Sequence, residues 1–190
     1  MEFTVRHLTT QELEAALDHL RQAPRNEGVL QLIVRRPDVD QREEMAEAEM
    51  DPVQGLIGDN WITRGSSRTP DGSPHPEMQI NIMNSRVTAL VAQQQDRWSL
   101  AGDQLYIDMD LSKENLPAGS RLQVGSAVLE VSSLPHNGCE KFVARFGRDA
   151  MKFVNSALGK ELCLRGINAR VVQAGTVRLG DTVRKIVNGQ

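Results

Sequence analysis

Apolar and polar positions change period several times along this chain, and the changes mark out its elements. Thr9-Thr10-Gln11-Glu12 reads as a capping box, with the Thr9 hydroxyl accepting from the amide three residues on and Glu12 reaching back. Leu13, Ala16, Leu17 and Leu20 then fall on one face of a helix that Pro24 and Gly28 end. Residues 29–36 are rich in β-formers and stop at Pro37, which predicts a strand. Residues 41–50 are mostly charged and read as a solvated helical face or a loop. Gly55-Leu56-Ile57-Gly58-Asp59-Asn60-Trp61 is a turn with an apolar rim. Residues 64–77 hold three prolines and form a long loop, of the kind that is functional or mobile inside a compact domain.

Gln79-Ile80-Asn81-Ile82-Met83 alternates as a strand does, and Ser85 can then cap a short helix carrying Val87, Leu90 and Val91. Leu105, Ile107, Met109 and Leu111 give the cleanest half-buried strand. Leu122 and Val124, the pair Gly125-Ser126, and residues 127–131 read as a hairpin. After Cys139, Phe142, Phe146, Ala150, Phe153, Val154 and Ala157 form one helical stripe. Residues 162–187 are strand-like, broken at Gly166, Gly175 and Gly180. Ala118-Gly119-Ser120 ahead of Val124-Gly125 is echoed by Ala174-Gly175-Thr176 ahead of Leu179-Gly180, which suggests two similar corners. Short strands punctuated by glycine predict a mainly β (α+β) fold, a closed or half-closed β-barrel with a few decorating helices. Residues 1–28 would be an N-terminal helical extension and residues 29–190 the barrel domain.

Composition narrows the function more than the fold. The 190 residues suit one domain, large enough to fold without a disulfide or metal staple. Aromatic residues are 4% of the chain, which argues for an aliphatic core and against a stacking platform for single-stranded nucleic acid. A net charge of −3 argues against a dedicated nucleic-acid or membrane-surface binder. Two cysteines form no disulfide framework and read as reduced thiols in the cytoplasm. Met1-Glu2-Phe3-Thr4-Val5-Arg6 lacks a secretory pattern, and no apolar run is long enough to span a membrane. Oligomeric state is left open.

The chemistry concentrates around Cys139. Pro135-His136-Asn137-Gly138-Cys139-Glu140-Lys141-Phe142 lies between a strand and a helix. His136, Lys141 and Arg145 supply positive charge there, which favours thiolate and makes Cys139 a candidate catalytic nucleophile or soft metal ligand. Gly138 would give the backbone room to turn and a ligand room to approach. The alternative is that Cys139 is a small buried hydrophobe. Cys163, between Leu162 and Leu164 in a strand pattern, reads as core. Zinc-finger spacing, Cys-x-x-Cys and phosphate-loop motifs are missing, and a cysteine-protease triad is unsupported. Asp59 is an Asx-turn acceptor or a site residue. Asn81 is exposed or faces an interior cavity, and Asn115 has a turn role or a site role. Arg165, before Gly166, is surface charge or an anion clamp.

His136-Asn137-Gly138-Cys139-Glu140-Lys141-Phe142, followed by Arg145-Phe146-Gly147, resembles the core motif of MOSC domains, named after the C-terminal domain of molybdenum cofactor sulfurase. Gly55-Leu56-Ile57-Gly58-Asp59, the stretch 79–86, and Glu114-Asn115-Leu116-Pro117-Ala118-Gly119 resemble further MOSC segments, as does the tail from Arg165-Gly166-Ile167 to Gly180-Asp181. Together they cover roughly residues 29–190. The resemblance implies a barrel of the pyruvate-kinase type and a pocket for the molybdenum cofactor (molybdopterin), or for sulfur carried on cysteine. In the amidoxime-reducing members the motif cysteine is a sulfur ligand to molybdenum, which here is Cys139. Asn115 would contact the pterin, and Arg165 or Lys141 the phosphate. His136, Arg145, Asn81 and Asp59 join them as candidate cofactor contacts.

The family implies either a molybdenum-dependent reductase of N–O compounds or a sulfur-transfer protein, each working with a redox or sulfur-donor partner. Pyridoxal phosphate attaches to the family through the sulfurases' separate preceding domain, for which this chain has no room. The chain would therefore be a stand-alone MOSC protein. A non-catalytic binding or interaction module on a barrel scaffold is the alternative, and it expects Cys139 to be buried. A peroxide-sensing thiol is a third reading, weakened because no second cysteine lies nearby.

Overall fold

The structure is a computed structural model and describes residues 6–187. The N-terminal pattern read over residues 1–5 lies outside them. The capping box forms: Thr9 Oγ1 accepts from the Glu12 amide, and Glu12 accepts from the Thr9 amide at 2.8 Å. The helix it starts is shorter than expected. α1 (Thr10–Ala15) stops at Ala16 and α2 (Leu17–Arg21) continues. β1 (Glu27–Arg35) begins early enough to include Gly28, which is therefore a strand residue and not a helix stop. A Cβ at Gly28 would collide with the Asp108 carbonyl, so glycine lets two strands close up.

The charged stretch 41–50 is neither helix nor loop. It forms β2 (Glu43–Met45) and β3 (Glu47–Asp51), with β4 (Gly55–Leu56) following. In β3, Ala48 and Met50 point inward while Glu47 and Glu49 face solvent, so the charges occupy one face of a period-two pattern. α3 (Trp61–Arg64) opens the long loop, a 3-10 turn at Pro76–Met78 closes it, and β5 (Ile80–Asn84) runs into α4 (Ser85–Ala92). Asn84 caps α4, accepting from the Arg86 amide at 2.7 Å, in place of the expected Ser85.

A 3-10 stretch (Gln95–Ala101) leads to β6 (Leu105–Asp108), and the hairpin is β7 (Arg121–Val124) with β8 (Ala127–Pro135). The expected single helix after Cys139 is three: α5 (Glu140–Phe146), α6 (Arg148–Asn155) and α7 (Ala157–Glu161). Gly147, at φ +92°, breaks the first, and the extended Ser156 caps the third. The stripe survives the breaks as far as Val154, and Ala157 is exposed. β9 (Ile167–Gln173), β10 (Gly175–Arg178) and β11 (Thr182–Ile186) complete the chain. Cys163 is not in a strand; it lies in the turn after α7, at φ +49°.

Seven strands close a barrel in the order β1-β11-β7-β8-β9-β5-β6 and back to β1. Every pairing in the ring is antiparallel except β5 with β6. Closure comes from Glu27, Gly28 and Val29 pairing with Arg184, Val183 and Thr182. The second half of β1 pairs with β2, and β10, β3 and β4 form a small separate sheet.

Two cores result. Leu30, Ile33, Ile82, Leu105, Leu122, Leu129 and Val183 are among the residues that fill the barrel. Leu32, Val34, Met83 and Tyr106 point the other way, beneath α1, α4, α5 and α6, where Leu13, Phe142, Phe146 and Phe153 cover them. β5, β6 and the second half of β1 are therefore covered on both faces, while β7 puts Arg121 and Gln123 into water. Among the described residues no helix is long and apolar enough to cross a membrane.

Candidate functional site

A cavity of about 300 Å³ opens beside Cys139. It is lined from the segment after β1 (Arg36, Asp38, Asp40, Arg42), α3 (Arg64), β5 (Asn81), the approach to β6 (Gly102), the β8–α5 loop (His136, Cys139), α5 (Lys141, Phe142, Arg145) and the approach to β9 (Arg165). The structure thus brings together six candidates: Cys139, His136, Lys141, Arg145, Arg165 and Asn81. Arg36, Arg42 and Arg64 complete the wall and were not singled out in the sequence.

The Cys139 thiol is exposed, so the residue is not a buried hydrophobe. Its backbone is extended and occupies the N-cap of α5 without a side-chain capping bond, which leaves the sulfur free. The loop is clamped from behind. The Asn155 amide accepts from the Gly138 N–H at 2.8 Å and donates to the Gly138 carbonyl at 3.1 Å. Gly138 gives room to α6 and not to a ligand, since a Cβ there would press on Val154 and Met151.

Two buried ion pairs build the floor. Arg36 forks onto Asp59 through Nε and Nη2, both at 2.8 Å, and its Nη1 donates to Asn81 Oδ1 at 2.9 Å. Asn81 Nδ2 donates in turn to Asn168 Oδ1 at 2.7 Å. Asp59 is fully buried behind Arg36 and also accepts from the Trp61 amide, so it combines the expected turn role with that of counter-charge. Asn81 is buried and faces the cavity. Arg165 Nη1 donates to both Asp103 oxygens, at 3.0 and 2.8 Å, while its guanidinium lies 5.1 Å from the Phe142 ring centre. Arg165 is therefore not surface charge. Such pairs lose strongly if one partner goes, because the other stays buried and uncompensated.

His136 sits with Nδ1 3.4 Å from Asp103 Oδ1. The spacing would make an ion pair of a protonated ring, but the ring is neutral. Burial, then the charges of Arg165, Arg36 and Arg68, hold its pKa well below the usual imidazole range. Burial pushes the Asp103 carboxyl upward against the pull of Arg165. At the mouth, Asp40 Oδ1 accepts from Lys141 Nζ at 2.9 Å and from Arg145 Nη2 at 3.0 Å. Arg42 and Arg64 have no carboxylate partner among the described residues. Burial first, and neighbouring guanidiniums second, lower the pKa of each.

Asn115 does not join the cavity. Its side-chain amide donates to the Arg25 and Asp110 carbonyls, at 2.7 and 2.8 Å, and the expected turn role accounts for it. Among the described residues, no three His, Cys, Asp or Glu side chains gather to hold a metal ion. Among the described residues, Arg42 Nε, Arg165 Nε, His136 Nδ1 and Asn60 Oδ1 are buried without a hydrogen-bond partner, and all four belong to residues that line this cavity. Natural proteins leave few such atoms, so their concentration in one wall sets this cavity apart.

The sequence model of the MOSC domain matches residues 72–184. No curated protein matches the chain. Among solved structures, the YuaD protein of Bacillus subtilis superposes with a TM-score of 0.56 at 18% identity, over 83% of this chain and 94% of that one. YiiM from Escherichia coli gives 0.54 at 15% identity, over 85% of this chain and 71% of that one. YiiM from Geobacillus stearothermophilus gives 0.53 at 15% identity, over 85% and 74%. At these identities the likeness is one of fold.

Proposed function

The chain belongs to the MOSC domain family, and from that membership and the cavity beside Cys139 we propose that it binds the molybdenum cofactor. The carrying observation is the cluster of unpartnered buried polar atoms around a cationic cavity with an exposed thiol at its rim. The residues present fit the group. A phosphate needs fixed guanidinium and ammonium donors, and Arg42, Arg64, Lys141 and Arg145 supply them. A soft metal favours a sulfur ligand, and Cys139 presents an exposed sulfur at the cavity rim. No cluster of three His, Cys, Asp or Glu side chains forms among the described residues, so Cys139 suits a metal that brings other ligands of its own, as one held by a pterin dithiolene would.

When bound, the cofactor supplies a two-electron redox centre, which suits reduction of an N–O bond in a small molecule with electrons from a separate redox protein. The chain's own residues bind and orient. Arg36 and Arg165, each locked to a buried carboxylate, give the cavity a floor that does not rearrange. The neutral His136 offers a hydrogen bond without adding charge. Arg42 and Arg64 meet the anionic group.

The test is anaerobic purification from a molybdenum-replete host, followed by molybdenum and pterin analysis. Wild type should carry both near one per chain, and in Cys139→Ala the two should stay equal to each other while the metal's thiolate-dependent absorption is lost. Neither species in wild type, even after reconstitution, overturns the reading. A persulfide on Cys139 in a pterin-free protein would instead assign sulfur transfer.

A further inference from the structure

A second hollow, of about 530 Å³, shares His136 with the thiol cavity but includes neither Cys139 nor any arginine. It lies between β8, the 116–118 turn, α7 and the start of β9. We propose that it is a separate binding site for a small organic anion with an apolar body, the acid group held at Lys160 and the body packed inward. The proposal is independent of what the thiol cavity holds.

The volume is that of an ordinary small-molecule site. Leu116, Val131, Leu134 and Ile167 give it apolar walls. Among the described residues no carboxylate lines it, whereas two lysines do. Lys113 is tied to Glu161 at 2.9 Å, and Lys160 has no ion pair among the described residues. The free positive charge therefore sits on one side of the hollow.

The inner surface carries no fixed charge. His136 is neutral there, and burial pushes the Cys163 thiol up to about 11, so this cysteine is a protonated wall atom and not a nucleophile. Ser132 Oγ is buried without a partner and can hydrogen-bond a ligand heteroatom. An apolar depth with one cationic rim orders an amphiphilic anion head outward and body inward.

Fluorescence titration of the full chain with 8-anilinonaphthalene-1-sulfonate tests this, with octanoate and octanol as competitors. The expected result is saturable binding at one site, displaced by octanoate and only weakly by octanol. Lys160→Glu should weaken octanoate about tenfold while leaving octanol unchanged. Ala118→Trp, at an exposed wall position, should abolish the site, and Arg42→Gln in the other cavity should leave it intact. Absent saturation, displacement by inorganic phosphate, or binding indifferent to Lys160→Glu overturns the proposal. The charge reversal decides between these outcomes even if the tryptophan variant does not fold.

Discussion

Asp40 stands where an incoming anion would. Its carboxylate holds Lys141 and Arg145 together across the cavity mouth, from a left-handed backbone at φ +61°. The Lys141 hydrogen bond, more than the nearby charges, keeps its pKa low, so it remains ionised at neutral pH. Exposed pairs of this kind are weak and easily displaced. Asp40→Asn should therefore bind inorganic phosphate about threefold more tightly by calorimetry, since asparagine tolerates the same backbone and no longer competes. Equal or weaker binding would show that Asp40 does not guard the cations.

His136 makes a second residue-level prediction, with a definite sign. Its folded pKa lies below its unfolded value, so the unfolded chain takes up a proton that the native state refuses. Its contribution to stability is present above about pH 6.5 and is lost as pH falls from there toward the depressed folded value, by up to about 1.4 kcal/mol per pH unit. Urea midpoints at decreasing pH should fall less steeply for His136→Gln than for wild type. Parallel curves would remove His136 as the source. The sequence made the thiol, its histidine and the α5 cations legible because they share one short segment. Arg36, Arg42 and Arg64 were missed because a strand end, a charged run and a loop each explain an arginine locally. Only the closed fold shows them facing one another, and all three precede the segment that matches the family model.

At the scale of elements, alternation identified β5, β6 and the β7–β8 hairpin, where one face is apolar and a glycine marks the turn. It failed over residues 41–50, because β3 buries only small or flexible side chains and its glutamates dominate any local average. It also failed to divide α5 from α6, since the apolar stripe runs on past Gly147. Gly166 shows how an element end sets a site. It lies at φ +107°, with the position of a Cβ blocked by the Ile82 carbonyl, and it aims the preceding Arg165 at Asp103. Gly166→Ala should lower stability by about 2–3 kcal/mol in urea unfolding, through strain at a conformation that side chains rarely adopt. A loss below about 1 kcal/mol would mean the strand entry can relax without moving its neighbours.

Across the whole molecule, charge is separated. The chain carries −3 overall, yet the thiol cavity gathers five arginines and a lysine against few carboxylates. The excess negative charge lies elsewhere, on faces such as Glu43, Glu44, Glu47 and Glu49, all exposed. No linear average could display this, just as none could reveal that β1 and β11, near opposite ends of the chain, close the barrel. Separation of this kind makes anion binding depend on ionic strength, because screening weakens the partly exposed Arg42, Arg64 and Lys141 more than the buried Arg36 and Arg165. Phosphate affinity should fall between ~50 and ~300 mM KCl, where the screening length shortens to less than ~10 Å. Arg42→Gln or Arg64→Gln should lower the affinity and flatten its salt dependence. Binding of 8-anilinonaphthalene-1-sulfonate in the second hollow, where Lys160 stands without an ion pair among the described residues, should be the less salt-sensitive of the two. A salt response shared equally by both sites would mean that the field of the whole surface acts on them, and not the local cluster of guanidiniums.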